Sequence, residues 1–160
     1  MLKWIWLAIV VIVLDQLTKY IASSSLEMYQ PVAVMPMFNW TLMHNTGAAF
    51  SFLHDAGGWQ RWFFAVIAIV VSVVIVLWIK RLQQHEKLQA IALSLILGGA
   101  IGNVIDRIWL GYVVDFIDVY YQNWHWPAFN IADSAIVIGV GLIIIDSIRE
   151  YRTEKKAQKD

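Results

Sequence analysis

The sequence predicts an all-α membrane protein: a bundle of four transmembrane helices with a small β-containing region outside the membrane. Three observations predict this fold. Hydrophobic residues make up 59% of the 160 residues and charged residues only 15%, which leaves too little polar surface for a soluble globule. Four apolar stretches approach the roughly 20 helical residues needed to cross a bilayer. Lysine and arginine are concentrated on one side of these stretches.

The predicted spans cover residues 4–22, 62–79, 88–105 and 131–148 of one membrane domain that includes the whole chain, 1–160. The second span is the most uniformly apolar, with a serine as its one polar residue. The other three carry polar side chains at their ends or along one side. They are therefore the candidates for lining a functional site.

A cleaved signal peptide is the alternative interpretation of the first span, because Lys3 precedes an apolar run that small residues follow. Asp15 and Lys19 argue against it. A helix that continues through them has the length of a span, and their spacing puts them on one face.

Orientation follows from the positive charges, which are enriched in short cytoplasmic loops. Residues 20–60 and 108–130 contain neither lysine nor arginine. The predicted outer loops are therefore 23–60 and 106–130, and both termini are expected in the cytoplasm. The charges assigned to the inner side are Lys3, Lys80, Arg81, Lys87, Arg149, Arg152, Lys155, Lys156 and Lys159.

The first outer loop contains a candidate strand pair between residues 31 and 53. Residues 32–35 and 38–43 mix β-branched and aromatic side chains, and an Asn-Thr-Gly turn signal follows at 45–47. Many of the tryptophans and tyrosines lie near the predicted outer boundary, which is typical of an interfacial aromatic belt.

Two aspartates, Asp115 and Asp133, are the most informative residues because they lie in sequence that otherwise resembles membrane segments. A carboxylate there is costly, so it is a functional-site hypothesis by default. The residues between them can form one excursion from the bilayer, which would return both carboxylates to the outer face. Taken singly, each has a structural alternative: Asp133 as a helix cap, and Asp115 as an ion-pair partner of Arg107.

Other polar residues are expected at the same depth. Small residues at Gly98 and Gly102, and at Ala135 and Gly139, predict close packing of the third and fourth spans. Such packing would bring Asn103, Arg107 and Asn130 near Asp133. Asp106 is expected to be structural, and Asp118 to be a solvated loop residue.

The available side chains restrict the chemistry of this cluster. The chain has no cysteine, its histidines (44, 54, 85 and 125) lack paired ligand spacing, and its serines lack a nucleophile elbow. Two close carboxylates share a proton, so one can act as a base for water and the other as an acid towards a carbonyl oxygen. Peptide hydrolysis is therefore favoured, with no metal and no cofactor.

Two other classes compete with hydrolysis. Intramembrane ionisable residues also mark ion and proton pathways, but a pathway needs polar residues through the membrane, and residues 137–145 contain no ionisable residue. An assembly or scaffold protein would not require both aspartates.

Three sequence blocks closely resemble the signature blocks of bacterial lipoprotein signal peptidases, the signal peptidase II family. They are Asn-Thr-Gly-Ala-Ala-Phe at 45–50, Gly-Asn-Val-Ile-Asp-Arg at 102–107 running on to Gly-Tyr-Val-Val-Asp-Phe at 111–116, and Phe-Asn-Ile-Ala-Asp at 129–133. The resemblance covers nearly the whole chain, including four spans and cytoplasmic termini.

The resemblance implies an aspartic endopeptidase of the bacterial cytoplasmic membrane that cuts diacylglyceryl-modified prolipoproteins before the lipidated cysteine, at the outer face. Its strand region would be the family's extracytoplasmic β-cradle. The implied partners are this substrate and membrane lipid, without nucleic acid, and we expect a monomer. The implied catalytic residues are Asp115 and Asp133, and the implied substrate-binding or supporting residues are Asn45, Gly47, Asn103, Arg107, Asn130, Asp15 and Lys19.

Overall fold

The computed structural model of the chain describes residues 1–47 and 58–157. Within this part, four long helices are α1 (Ile5–Ser25), α2 (Gln60–Arg81), α3 (Lys87–Trp109) and α4 (Ile131–Ala157). A short 3-10 turn, Leu2–Trp4, precedes α1. The four helices are long and apolar enough to cross a membrane, which confirms the predicted helical membrane fold.

Helix α3 lies at the centre of the bundle and packs against α1, α2 and α4. Leu93 and Leu97 of α3 join Ala8 of α1 and Ile79 of α2 in one buried cluster. The outward faces of α1, α2 and α4 expose large apolar side chains along their length. Such continuous apolar exposure is typical of a surface that faces lipid.

Glycines set the close helix contacts, partly as predicted. A Cβ atom at Gly139 of α4 would lie 2.7 Å from the backbone oxygen of Ala92 on α3, so this glycine does serve the packing of α3 against α4. Gly98, however, faces α1, where its Cβ would lie 2.8 Å from the oxygen of Ala8. Gly99 of α3 faces Ala132 and Ile136 of α4. The predicted close packing of the third and fourth spans is therefore present, although the Gly98 and Gly102 face of α3 lies mainly against α1.

The outer region is a four-stranded antiparallel sheet in the order β1-β2-β3-β4. Its strands are β1 (Val32–Met35), β2 (Phe38–Asn45), β3 (Val113–Tyr121) and β4 (Trp124–His125). The predicted strand pair corresponds to β1 and β2. The second outer loop contributes β3 and β4, which were not predicted, and Asp115 lies on β3.

The prediction that Asp118 is a solvated loop residue is wrong. Asp118 lies on β3 opposite Asn39 of β2 and is only 2% exposed. Its carboxylate accepts hydrogen bonds from Asn39 Nδ2 at 3.1 Å and Thr41 Oγ1 at 3.0 Å, and pairs with His125 Nδ1 at 2.7 Å. Burial alone would raise the pKa of Asp118, but the contacts with His125, Asn39 and Thr41 hold it below its usual value.

Residues 48–57 lie outside the described part of the chain. They include the last three residues of the first sequence block, the end of the predicted strand segment, and His54.

Candidate functional site

A cavity of about 880 Å³ lies where the sheet meets the ends of α3 and α4. Asp115 and Asp133 both line it, so the two aspartates that the sequence singled out face one space. Three further predicted site residues line the same cavity: Asn45, Asn103 and Arg107.

Asp115 enters the cavity from β3 and is 2% exposed. Its Oδ1 accepts a hydrogen bond from Asn130 Nδ2 at 2.7 Å, and its Oδ2 accepts one from Asn45 Nδ2 at 3.1 Å. Burial and the nearby charge of Asp133 raise the pKa of Asp115 to about 7, although both hydrogen bonds oppose the rise. A carboxyl group with this pKa is protonated in about half of the molecules at neutral pH.

Asp133 enters the cavity from the first turn of α4. Its Oδ1 accepts a hydrogen bond from Asn103 Nδ2 at 2.7 Å, and its Oδ2 accepts one from the backbone N–H of Asn130 at 3.3 Å. In return, Asn130 Oδ1 accepts from the backbone N–H of Asp133 at 2.9 Å, the reciprocal pattern of a capping box. Asp133 therefore takes part in capping α4 and also lines the cavity. Its Oδ2 accepts from the N–H of Asn130 at the helix start, and its Oδ1 accepts from Asn103.

Asn130 connects the two aspartates. It is fully buried, and its side chain contacts the Asp133 backbone on one side and the Asp115 carboxylate on the other. It also donates to the backbone oxygen of Val114 at 3.2 Å. This one side chain ties the start of α4 to β3, the two elements that carry the aspartates.

Arg107 lies on the last turn of α3 and contacts the described part of the first sequence block at Gly47. It donates from Nη2 to the backbone oxygen of Gly47 at 3.1 Å and lies 5.5 Å above the ring of Phe64. Asn45 Oδ1 accepts from the Gly47 N–H at 3.0 Å, which completes the link. Among the described residues Arg107 forms no ion pair within 4 Å, so the alternative interpretation of Asp115 as an ion-pair partner of Arg107 is not supported.

Asp15 and Lys19 belong to a buried cluster next to Asn103 that lies outside the lining of the cavity. Lys19 Nζ contacts Asp15 at 2.8 Å, Asp106 at 2.9 Å and Asn103 Oδ1 at 3.0 Å. Asp15 also accepts from the backbone N–H of Ala132 at 2.9 Å, at the start of α4. Gln16, which was not predicted, donates to Asp106 Oδ1 at 2.9 Å; its position next to Asp15 was the available signal.

Asp106 has the structural position expected for it. Besides Lys19 and Gln16, it accepts from the backbone N–H of Val114 at 3.0 Å and so joins α3 to β3. Gly102 leaves room for the carboxylate of Asp15 in the cluster, because a Cβ atom at residue 102 would lie 2.6 Å from Asp15 Oδ2.

The cavity walls were missed by sequence reasoning. His44 stacks on Tyr112 with ring centroids 3.8 Å apart, and burial lowers the pKa of His44 so that its neutral form is favoured. Most of the remaining wall is apolar. It consists of Met43, Val113, Pro127, Ala128, Phe129, Ile136, Val137 and Ile138.

Two exposed residues of this wall, Val137 at 70% and Ile138 at 56%, lie on the outer surface of α4. The cavity therefore adjoins the lipid-facing side of the bundle.

The described residues contain no group of three or more histidine or acidic side chains arranged to hold a metal ion. Carboxylates and amides dominate the polar contacts of the site. Such an arrangement can position a water molecule between two carboxyl groups of which one is protonated.

Residues 7–149 match the family model described as signal peptidase (SPase) II. A lipoprotein signal peptidase of Acinetobacter baumannii is 60% identical over 159 residues, covering 99% of this chain and 89% of the relative. One of Pseudomonas aeruginosa is 54% identical over 158 residues, covering 98% and 94%. A solved bacterial membrane enzyme structure superposes with a TM-score of 0.84 at 37% identity, covering 93% of this chain and 89% of the other.

Proposed function

The chain belongs to the signal peptidase II family, whose members remove signal peptides from prolipoproteins, and on that premise we propose that it is an aspartic endopeptidase with Asp115 and Asp133 as its catalytic dyad. The observation that carries the proposal is the shared cavity, in which both carboxyl groups accept hydrogen bonds from Asn130, Asp115 from its side chain and Asp133 from its backbone N–H. No serine, cysteine or metal ligand is needed for the reaction.

In the proposed reaction, the ionised carboxylate takes a proton from water while the water oxygen bonds to the scissile carbonyl carbon. The protonated carboxyl gives its proton to the carbonyl oxygen, which yields a tetrahedral diol. The carboxyl that took the proton from water then gives it to the amide nitrogen and the C–N bond breaks, while a hydroxyl of the diol gives its proton to the other carboxylate, so that a carboxylic acid and an amine are released and the dyad again holds one proton. The pKa of about 7 for Asp115 supports this scheme, because it keeps one proton available at neutral pH.

Three asparagine side chains would fix the dyad. Asn45 and Asn130 donate to Asp115, and Asn103 donates to Asp133. Arg107 would hold the segment ending at Gly47 over the cavity and add positive charge near the dyad. We expect Arg107→Gln to change both turnover and the pH-rate profile.

The proposed substrate is a prolipoprotein whose cysteine carries diacylglycerol, cut just before that cysteine. A lipid anchor would hold the scissile bond at the membrane boundary, the depth at which β3 meets the start of α4. The apolar wall formed by Phe129, Ile136 and Val137 suits acyl chains or the apolar signal segment. Lateral arrival from the bilayer fits the exposed position of Val137.

We place the site at the outer face of the bacterial cytoplasmic membrane. Lys80 and Arg81 at the end of α2, Lys87 at the start of α3, and the positive charges of the C-terminal part of α4 lie at the end of the bundle opposite the sheet.

The decisive experiment mixes the purified protein with a diacylglyceryl-modified prolipoprotein. Wild-type protein should release the signal peptide, and Asp115→Asn and Asp133→Asn should each lose at least about 10³-fold in turnover. Cleavage at the wild-type rate by either variant would disprove the dyad. Equal cleavage of unlipidated precursor would disprove the proposed requirement for a lipidated substrate.

The expected monomer is tested separately: the purified protein should elute as a monomer in size-exclusion chromatography.

A further inference from the structure

The side chain of Lys19 is almost completely buried, at 3% exposure, and it does not line the cavity. Two carboxylates, Asp15 and Asp106, hold its ammonium group from two sides. Its third contact is different in kind, because Asn103 Oδ1 is a neutral acceptor on a side chain that also touches Asp133. One side chain, that of Asn103, therefore separates Lys19 from Asp133 of the dyad.

A carboxamide has one accepting end and one donating end, and rotation by half a turn exchanges them. An ammonium group can only donate, so Asn103 Oδ1 must face Lys19 and Asn103 Nδ2 must face Asp133. Asn130 Nδ2 makes a second, neutral contact to the same oxygen at 3.2 Å. If the amide turned over, its oxygen would face the carboxylate of Asp133 and the hydrogen bond between them would be lost.

The other two asparagines of the site follow the same rule. The backbone N–H of Gly47 fixes the amide of Asn45, and the backbone N–H of Asp133 fixes the amide of Asn130. Each of these amides then donates to Asp115. Asn103 differs because the charged donor that orients it is a side chain, which substitution can remove.

We propose that Lys19 is a positioning residue that acts on Asp133 through Asn103, by keeping the amide N–H of Asn103 directed at the carboxylate. This inference rests on the proposed peptidase function. Lys19 touches neither the cavity nor the substrate that would occupy it. Its removal should therefore affect the chemical step more than substrate binding.

The test measures kcat, KM and the pH-rate profile of Lys19→Met on lipidated precursor. We expect kcat to fall between about 10- and 100-fold, with KM within about twofold of wild type. The charge of Lys19 also lowers the pKa of Asp115, so the alkaline limb of the profile should move to higher pH. Loosened packing alone would lower the rate at every pH without moving the limb.

A double-mutant cycle with Asn103→Leu identifies the route. If Lys19 acts through Asn103, adding Lys19→Met to Asn103→Leu should cost less than about twofold further in kcat. A full additional loss in the Asn103→Leu background would overturn the proposal, as would an unchanged kcat for Lys19→Met. Lys3→Met is the matched control, because Lys3 is an exposed lysine at the far end of the first span.

Removing Lys19 alone leaves two buried carboxylates without their cation, which can prevent folding. The variant Lys19→Met/Asp106→Asn keeps the net charge of the cluster, because it removes one positive and one negative charge. A second cycle measures the effect of Lys19→Met in the Asp106→Asn background, with and without Asn103→Leu. If Lys19 acts through Asn103, Lys19→Met should again cost less than about twofold in kcat when Asn103→Leu is present. Failure of wild-type protein to cleave would refute the proposed function, whereas cleavage with additive variants would refute only the role of Lys19.

Discussion

At the scale of single residues, the position of Asp115 predicts how activity depends on pH. The pKa of Asp115 is raised to about 7 by burial and by Asp133. The proposed reaction needs one proton on the dyad, and that proton is lost as the pH rises through this value. We therefore expect kcat/KM to fall about tenfold per pH unit well above pH 7, measured with lipidated precursor.

The variant Asn45→Ala tests whether Asp115 is the group that controls the alkaline limb of the pH-rate profile. The hydrogen bond from Asn45 lowers the pKa of Asp115, so its removal should move the alkaline limb to higher pH whatever it does to the maximal rate. An alkaline limb that stays in place in Asn45→Ala would show that another group controls it.

Sequence reasoning could find the two aspartates but not their contacts. Asp115 and Asp133 stood out because carboxylates are rare in apolar sequence. Their partners come from distant positions: Asn45 is 70 residues before Asp115, and Asn103 is 30 residues before Asp133. The burial of Asp118 could not be predicted, because Asn39 and Thr41, which donate hydrogen bonds to its carboxylate, lie 79 and 77 residues away in the sequence. Only the sheet register brings them together.

At the scale of secondary-structure elements, the junction of α3 with α4 depends on Gly99. A Cβ atom there would lie 2.3 Å from the backbone oxygen of Ala132, which cannot move aside as a flexible side chain can. Because Ala132 precedes Asp133, we expect Gly99→Ala to displace the start of α4, to cost about 1–3 kcal/mol of stability and to reduce cleavage. Thermal unfolding in detergent and the cleavage assay measure the two effects.

Gly141→Ala is the control for this substitution. Gly141 lies on α4 with no atom within 4 Å of the position of a Cβ, so alanine there should leave stability unchanged or slightly raised. Equal melting temperatures for the two variants would contradict the steric argument.

The sheet has its own polar anchor in Asp118. Asp118→Ala would leave the buried polar groups of Asn39 and Thr41 without their acceptor, at about 1–3 kcal/mol each. The pKa of Asp118 is lowered in the folded protein, so its contribution is present above its unfolded pKa of 3.8 and is lost as the pH falls through the folded value. We expect a lower melting temperature at pH 7 and a smaller difference in acid.

Glu27→Ala serves as the comparison for Asp118→Ala, because Glu27 is an exposed acid near β1. Its melting temperature should stay close to that of the wild type. A similar loss of stability in both variants would mean that Asp118 contributes no more than a surface charge.

The sequence predicted the elements unevenly. Strands β1 and β2 were visible because turn signals bound them. Strand β3, Val-Val-Asp-Phe-Ile-Asp-Val-Tyr-Tyr, is rich in β-branched and aromatic residues but lacks the alternation of a half-exposed strand, since most of its first six residues are buried whichever face they occupy. Its composition was the available signal.

At the scale of the whole molecule, the candidate site and most of the lysines and arginines lie at opposite ends of the bundle. The sheet and the two cavity aspartates lie at the end where α1 and α3 finish and α4 begins, and Lys80, Arg81 and Lys87, which flank the α2–α3 turn, lie at the other end. Positive charge favours the cytoplasmic side, so the dyad should face outwards.

The absence of cysteine makes this orientation directly testable by labelling, because a single introduced thiol is the only reactive one. Asn123→Cys is exposed in the turn between β3 and β4, and Gln84→Cys is exposed in the turn between α2 and α3. With a membrane-impermeant maleimide on intact spheroplasts, Asn123→Cys should label fully and Gln84→Cys should label only after permeabilisation. The reverse pattern would put the dyad in the cytoplasm, where a substrate whose lipidated cysteine lies at the outer boundary could not reach it.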